Sequence, residues 1–271
     1  MIELEELKKL QIEILDDVVE FCEQNKINYW LNCGTLLGAI RHKGYIPWDD
    51  DIDIGMLRKD YDIFKEKYNK ANRKYKFASV ETDENFNFSY GKVMNMNTIL
   101  YEPNRKIGEK LAVNIDIFVY DNAPDDIKTT NKMYRKIKIL EALNIVKKVP
   151  YSTKKNHLFI NILRFPCHYI LKLFPKSYFS KKIVKISKKY IDKKTNYIGS
   201  FSSLDRIHSR KSIFESFIKV KFEGKEYNAP IGYDELLTDF YGDYMKLPPT
   251  KKQVSHHVFE AFWIEENKQE K

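Results

Sequence analysis

A chain of 271 residues with 43% hydrophobic and 14% aromatic content is long and apolar enough to bury a substantial core, which excludes a disordered polymer. Its formal charge of +9 is regional: between Lys132 and Lys194 eighteen lysines and arginines stand against Glu141 and Asp192, so the remainder is net acidic. Three cysteines, Cys22, Cys33 and Cys167, are odd in number and lack metal-ligand spacing, and no run of eighteen apolar residues is present to span a bilayer.

The start, MIELEELKKLQIEIL, carries acids and no apolar core of secretory length, so a reducing cytoplasm is the expected compartment. Over residues 2–25, Leu4, Leu7, Leu10, Ile14, Leu15, Val18, Val19 and Cys22 recur at helical spacing, which predicts an amphipathic helix. Ile27 to Leu31 reads as a short strand, Gly34-Thr35 as a tight turn and Leu36 to Ile40 as a helical turn. Glycine there lets backbone approach a phosphate, and the free N–H groups of a helix start favour an anion. Arg41, His42 and Lys43 follow. Arg41 is a candidate phosphate contact, as is His42, although an ordinary exposed turn would read the same way. Trp48 either stacks on a base or covers the core.

Asp49, Asp50, Asp51 and Asp53 fall within five residues, a density of like charge that repels itself unless a cation intervenes. Asp51 and Asp53 alternate with Ile52 and Ile54. A strand here would therefore put both carboxylates on one face and both isoleucines in the core, a hard-oxygen site suited to Mg²⁺ or Mn²⁺.

Residues 58–71 read as a helix with Tyr61, Phe64 and Tyr68 at helical spacing, followed by β-prone runs at 77–80, 88–94 and 98–101. Lys92 in the second run is either a phosphate contact or an edge charge. Val113 to Tyr120, VNIDIFVY, reads as a buried strand with one acid, Asp116, between Ile115 and Ile117. An ionised group there is costly unless paired or metal-bound. A strand end facing solvent, or Asp121 in its stead, are the alternatives.

From Ile127 to Thr195 the chain turns helical and basic, with Leu158 to Phe174 read as two short segments broken at Pro166. Lys181, Lys182, Lys185, Lys188 and Lys189 then surround Ile183, Val184 and Ile186, as in a helix at an anionic membrane surface; solvated lysines on a core-packed helix are the plainer reading. No helix-turn-helix, zinc-finger or RNP-type motif accompanies the charge, so nucleic acid is not an expected partner. VKFEGKEYNAP, 220–230, predicts a hairpin at Gly224-Lys225, and Tyr233 to Phe240 a helix stopped at Gly242. His256 and His257 are adjacent but have no zinc-ligand spacing.

Strand, Gly-(Ser/Thr), helix, then Asp-apolar-Asp resembles the polymerase-β-like nucleotidyltransferase signature. The longer string GTLLGAIRHKGYIPWDDDIDI is similar to the LicD/fukutin family of phosphotransferases, as are YGDYMKLPP (241–249) and VSHHVFEAFW (254–263) near the end. The resemblance implies one α/β (α+β) catalytic domain over 1–271, a mixed sheet flanked by helices, with a basic helical insertion at about 125–195. It implies that Asp116 supplies the third metal carboxylate beside Asp51 and Asp53. It also implies that Gly34 and Thr35 cradle a donor phosphate and that His256 and His257 belong to a motif near the donor or acceptor pocket. The implied reaction moves phosphocholine or a polyol phosphate from CDP-choline, CDP-ribitol or CDP-glycerol to a lipid-linked glycan acceptor. The basic, apolar middle third gives the expected setting, peripheral contact with the inner face of an anionic membrane.

Overall fold

The computed structural model describes residues 1–101, 111–149, 158–202, 207–254 and 260–264; His256 and His257 lie outside the described residues. The organising element is β5 (Leu111–Ala123). Its alternation decides the two faces of the sheet: Val113, Ile115, Ile117 and Val119 are buried in the main core, while Asn114, Asp116 and Phe118 are half-buried on the other side. Beside it, β2 (Asp53–Leu57) runs parallel with Asp53 opposite Asp116 and Leu57 opposite Tyr120. On the other flank β4 (Gly91–Tyr101) pairs antiparallel, with Lys92 opposite Asp116.

The remaining strands extend this centre into a mixed eight-stranded sheet. At one edge β1 (Trp30–Leu31) pairs with β2, and at the other β10 (Glu260–Trp263) pairs with β4. The short β3 (Lys76–Ala78) lies on β4. The far end of β5 carries β6 (Tyr197–Ser200), which in turn carries β7 (Ser209–Arg210). A separate hairpin, β8 (Phe217–Phe222) and β9 (Lys225–Pro230), turns at Glu223 and Gly224. Both take positive φ, the two-residue geometry that matches strand twist.

Helix α1 (Leu4–Asn25) buries Leu7, Leu10, Ile14, Leu15, Val18, Val19 and Cys22 of the stripe its spacing predicts, while Leu4 at its start is exposed. Helix α2 (Cys33–Arg41) connects β1 to the acidic loop, α3 (Arg58–Lys67) follows β2 directly, and α7 (Tyr233–Tyr241) ends at Gly242 as expected. The basic segment forms α4 (Ile127–Lys148), α5 (Leu158–Lys172) and α6 (Tyr178–Ser187). It leaves the sheet at Ala123 and returns at Tyr197, and these two residues are register partners. Among the described residues no helix is long and apolar enough to cross a membrane.

Four local expectations change. Gly34 and Thr35 are the first turn of α2, not a turn before it. The strand expected from Ile27 shrinks to two residues, because it pairs only with β2, at Gly55 and Ile54. The runs at 88–94 and 98–101 merge into one strand, β4, with a register shift between Asn95 and Leu100. Helix α5 continues through Pro166: a proline removes one amide donor, and here the turns on both sides persist.

Arg58 at the start of α3 makes a bidentate pair with Asp121 of β5, Nε and Nη2 donating at 2.8 Å each. Both groups are buried, so Asp121 is committed to fastening α3 to the sheet and is not free for the role considered for Asp116. Removing one partner strands the other's charge. Asp121→Ala is expected to lose about 3–5 kcal/mol in urea unfolding, and Arg58→Met with Asp121→Leu to recover most of it; equal losses in the single and double variants would refute this.

Candidate active site

The site is assembled from β2, β4 and β5 where Asp53, Lys92 and Asp116 fall in one row across three strands. In-register neighbours share a sheet face, so the three side chains converge. Lys92 is buried, and its ammonium donates to the Asp116 carboxylate and, at 2.9 Å, to Asn114 Oδ1. It is therefore neither an edge charge nor directed at solvent: it neutralises part of the acidic field from within and orients Asp116.

Asp53 stands at the first position of β2, held by backbone on both sides. Its N–H donates to the Thr35 hydroxyl at 2.8 Å, and its carbonyl accepts from the Asn32 N–H at 2.9 Å. Thr35 thus acts through Asp53, joining the first turn of α2 to the strand. The Asp53 carboxyl is held well above the usual carboxylate range, first by burial and then by the charges of Asp51, Asp116 and Asp49, with Lys92 acting the other way.

Asp51 precedes β2 instead of lying within it, yet the alternation holds: Ile52 and Ile54 are fully buried and Asp51 and Asp53 half-buried. The Asp116 N–H donates to the Ile52 carbonyl at 2.9 Å, so the parallel pairing reaches one residue back toward Asp51. Among the described residues, Asp49, Asp50 and Asp51 form the one group of three or more acidic, histidine or cysteine side chains whose ligand atoms lie within 4.8 Å of one another. The expected trio of Asp51, Asp53 and Asp116 is not that group: Asp53 and Asp116 stand abreast on β2 and β5, and Asp51 is the member the two sets share. All offer hard oxygen ligands, the donor set of Mg²⁺ or Mn²⁺.

Gly34 serves this patch. A Cβ built on it would meet Asp49 Oδ2 at 2.6 Å, so only glycine lets that carboxylate lie against the start of α2, where unsatisfied N–H groups favour negative charge. Cys33 just before it takes a φ of 45°, a left-handed conformation costing a non-glycine residue about 1–3 kcal/mol, of the kind that collects at functional sites.

A cavity of about 630 Å³ opens beside this patch. One wall comes from the acidic loop and α2, through Gly34, Leu37, Arg41, Trp48 and Asp49; the other comes from Tyr241, Asp243, Tyr244, Lys246, Leu247, Pro248, Pro249 and Lys252. Residues more than 190 positions apart in the chain therefore face each other. Arg41 Nη1 donates to the Tyr244 carbonyl at 2.7 Å, tying the two walls together. Trp48 packs partly on the core while lining the cavity. His42 does not line it: its Nδ1 sits 3.4 Å from Arg41 Nε and its ring meets Trp48 edge-on at 6.4 Å. Burial, then the Arg41 charge, lowers the His42 pKa, which favours the neutral ring.

Three contributors have no signal in the sequence. Gln11 of α1 is buried and donates to the Asp50 carbonyl at 3.0 Å, with the Asn114 carbonyl at 3.5 Å and the Tyr45 hydroxyl donating to its Oε1 at 3.0 Å. Lys246 and Lys252 supply positive charge to the cavity from a loop. A glutamine on the polar side of an amphipathic helix and lysines in a basic chain look like solvated residues until the fold brings them in.

Residues 26–142 match the profile described as LicD/FKTN/FKRP, nucleotidyltransferase domain. Over 270 residues the chain is 35% identical to the lipopolysaccharide cholinephosphotransferase LicD of Haemophilus influenzae, an alignment covering 96% of this chain and 97% of that protein. It is 49% identical over 43 residues to the ribitol 5-phosphate transferase FKRP of Homo sapiens, 16% of this chain and 9% of that protein. It is also 47% identical over 58 residues to an uncharacterised protein of Rickettsia typhi, 21% and 19% of the two chains. Similarity along nearly the whole length of a LicD protein, with the profile match over the acidic loop and central strands, means that this chain belongs to the LicD family.

Proposed function

We propose that the protein is a metal-dependent phosphotransferase that moves phosphocholine, or a related polyol phosphate, from a CDP-activated donor to a sugar hydroxyl of a cell-surface glycan precursor, with release of CMP. The observation that carries this reading is the register of Asp53 against Asp116 on parallel strands, beside Asp49–Asp51 and the start of α2. Acids this close are self-repelling, and the Asp53 carboxyl is raised first by burial and then by the charges of Asp51, Asp116 and Asp49. Asp51, Asp53 and Asp116 are the proposed ligands of Mg²⁺ or Mn²⁺, with Asp49 and Asp50 adjacent. Such an ion would supply positive charge to offset the charge that builds on the donor's phosphates.

The protein's own groups have separate tasks. Arg41, Lys246 and Lys252 bring positive charge to the donor's phosphates from both walls of the cavity. Trp48 offers a ring to the base. Thr35 fixes the Asp53 backbone, and Lys92 with Asn114 aims Asp116, which takes the proton of the attacking hydroxyl. The full-length likeness to a cholinephosphotransferase favours choline as the head group, and the short likeness to a ribitol 5-phosphate transferase makes ribitol the second choice.

Purified protein given Mg²⁺, an acceptor glycan and CDP-choline, CDP-ribitol or CDP-glycerol in turn is expected to release CMP fastest from one of them. Lys92→Met should lower the rate about 10–100-fold by loosening Asp116, and Asp53→Asn should lower it further. CMP release from none of the three, or a wild-type rate in Asp53→Asn, would sink the proposal.

The raised Asp53 carboxyl also predicts a pH dependence. An acid whose folded pKa exceeds its unfolded value contributes stability below the unfolded value, about 4 for aspartate, and that contribution is lost as pH rises through the folded value. Metal-free protein should therefore fall in melting temperature relative to Asp53→Asn as pH climbs above about 4, and Mg²⁺ should restore it more at higher pH. A Mg²⁺-induced shift of the same size at about pH 5 and about pH 8 would contradict the assignment.

A further inference from the structure

Helix α5 is turned inside out for a helix in water. Its inward side carries half-buried Asn161, half-buried Arg164, buried His168 and buried Leu171 at helical spacing. The polar ones are put to use: Arg164 Nε donates to the Val149 carbonyl at 3.1 Å, and His168 Nδ1 lies 2.9 Å from the Val146 carbonyl at the end of α4. The outward side is apolar, with Ile162 at 64%, Leu163 at 73%, Ile170 at 58% and Leu173, just past the helix end, at 84% exposed, and Phe165 and Tyr169 exposed between them. Single exposed apolar residues are ordinary, but a contiguous face of six is not.

Cationic residues stand at one end of this face and along the neighbouring helix. Lys172 and Lys176 are exposed at its C-terminal end, and α4 exposes Lys132, Arg135, Lys136 and Lys138. The two acids of this region, Glu141 and Asp192, do little to offset them, and the Glu141 carboxylate accepts from the Ser89 hydroxyl. A second copy of the chain docking face to face would bring like charges together, whereas a surface of phosphate headgroups over acyl chains matches both the apolar centre and the positive border. With 15 residues, α5 spans about 22 Å against the roughly 30 Å of a hydrocarbon core, so it is too short to cross and suited to lie in the interface.

We propose that the outward face of α5 docks the protein on an anionic lipid bilayer, with Ile162, Leu163, Phe165, Tyr169, Ile170 and Leu173 entering the acyl boundary. The membrane contact expected from the lysines of α6 thereby moves to α5. Part of the α6 charge is already paired within the chain: Lys188 with Glu81, and Lys181 with Glu84 at the surface. The inference is independent of the donor chemistry, because lipid binding is read without any nucleotide.

The test is flotation with vesicles of phosphatidylcholine containing about 30% phosphatidylglycerol, with pure phosphatidylcholine as control. Wild type should float with the anionic vesicles, and Ile162→Ser/Leu163→Ser/Ile170→Ser/Leu173→Ser should bind at least about tenfold less at an unchanged melting temperature. Should that variant fail to fold, a polarity-sensitive fluorophore answers separately. Attached to exposed Cys167 in a Cys33→Ser background, with Cys22 buried, it should brighten on adding anionic vesicles. Wild type that does not float, a folded variant that binds like wild type, or a label that stays dim while the protein floats would overturn the proposal. So would a lipid-free dimer that the substitutions convert to monomer without any vesicle binding, which would assign the face to a second copy.

Discussion

Two carboxylates held abreast on parallel strands, Asp53 and Asp116, set a constraint that the surrounding structure exists to satisfy. Left alone, neighbouring acids at a partly dry sheet face would push the strands apart or take up protons. Here the pair is pinned by backbone, through the Asn32 N–H on the Asp53 carbonyl and the Ile52 carbonyl on the Asp116 N–H. The buried Lys92 ammonium sits on Asp116 from the opposite flank. Hydrophobic burial of Ile52, Ile54, Ile115 and Ile117 on the reverse side supplies the cohesion that keeps the strands paired despite the charge. The site and the core are thus the two faces of the same three strands.

The rest of the fold reinforces that centre at increasing distance. Arg58 and Asp121 bolt α3 to the far end of β5, which fixes the strand against sliding. Gln11 reaches from α1 to the backbone beside Asp50 and near Asn114. Arg41 joins α2 to the segment around Tyr244, so the cavity walls cannot drift independently. Each tie is polar and mostly shielded, and its worth lies in position more than in net stability.

Much of this could be read before any coordinates. The acid inside VNIDIFVY and the stripe of α1 are local patterns that produced the elements they predict, and the period-two alternation around Asp51 and Asp53 holds in burial although the strand starts only at Asp53. What stayed hidden was non-local. Gln11 meets the site across 39 and 103 residues of chain, and Lys92 became a buried partner of Asp116 only through strand register. Gly34 read as a phosphate cradle, and the fold shows that its missing side chain makes room for Asp49. Pro166 read as a break because local rules weigh a lost hydrogen bond and not the helix on either side of it. The sidedness of α5 was likewise invisible, since an apolar stripe looks the same whether it faces a core or the outside.

The return of the basic helices to the place they left has a bearing on how such a protein diversifies. With Ala123 and Tyr197 side by side, everything between them is an excursion on two adjacent stems, and doubling the length of such a loop adds only about 0.6 kcal/mol of closure entropy. That stretch can be lengthened, shortened or repainted with different surface chemistry while the strand bearing Asp116 keeps its alignment. The surface that this stretch presents and the alignment of the carboxylates can then evolve at separate rates.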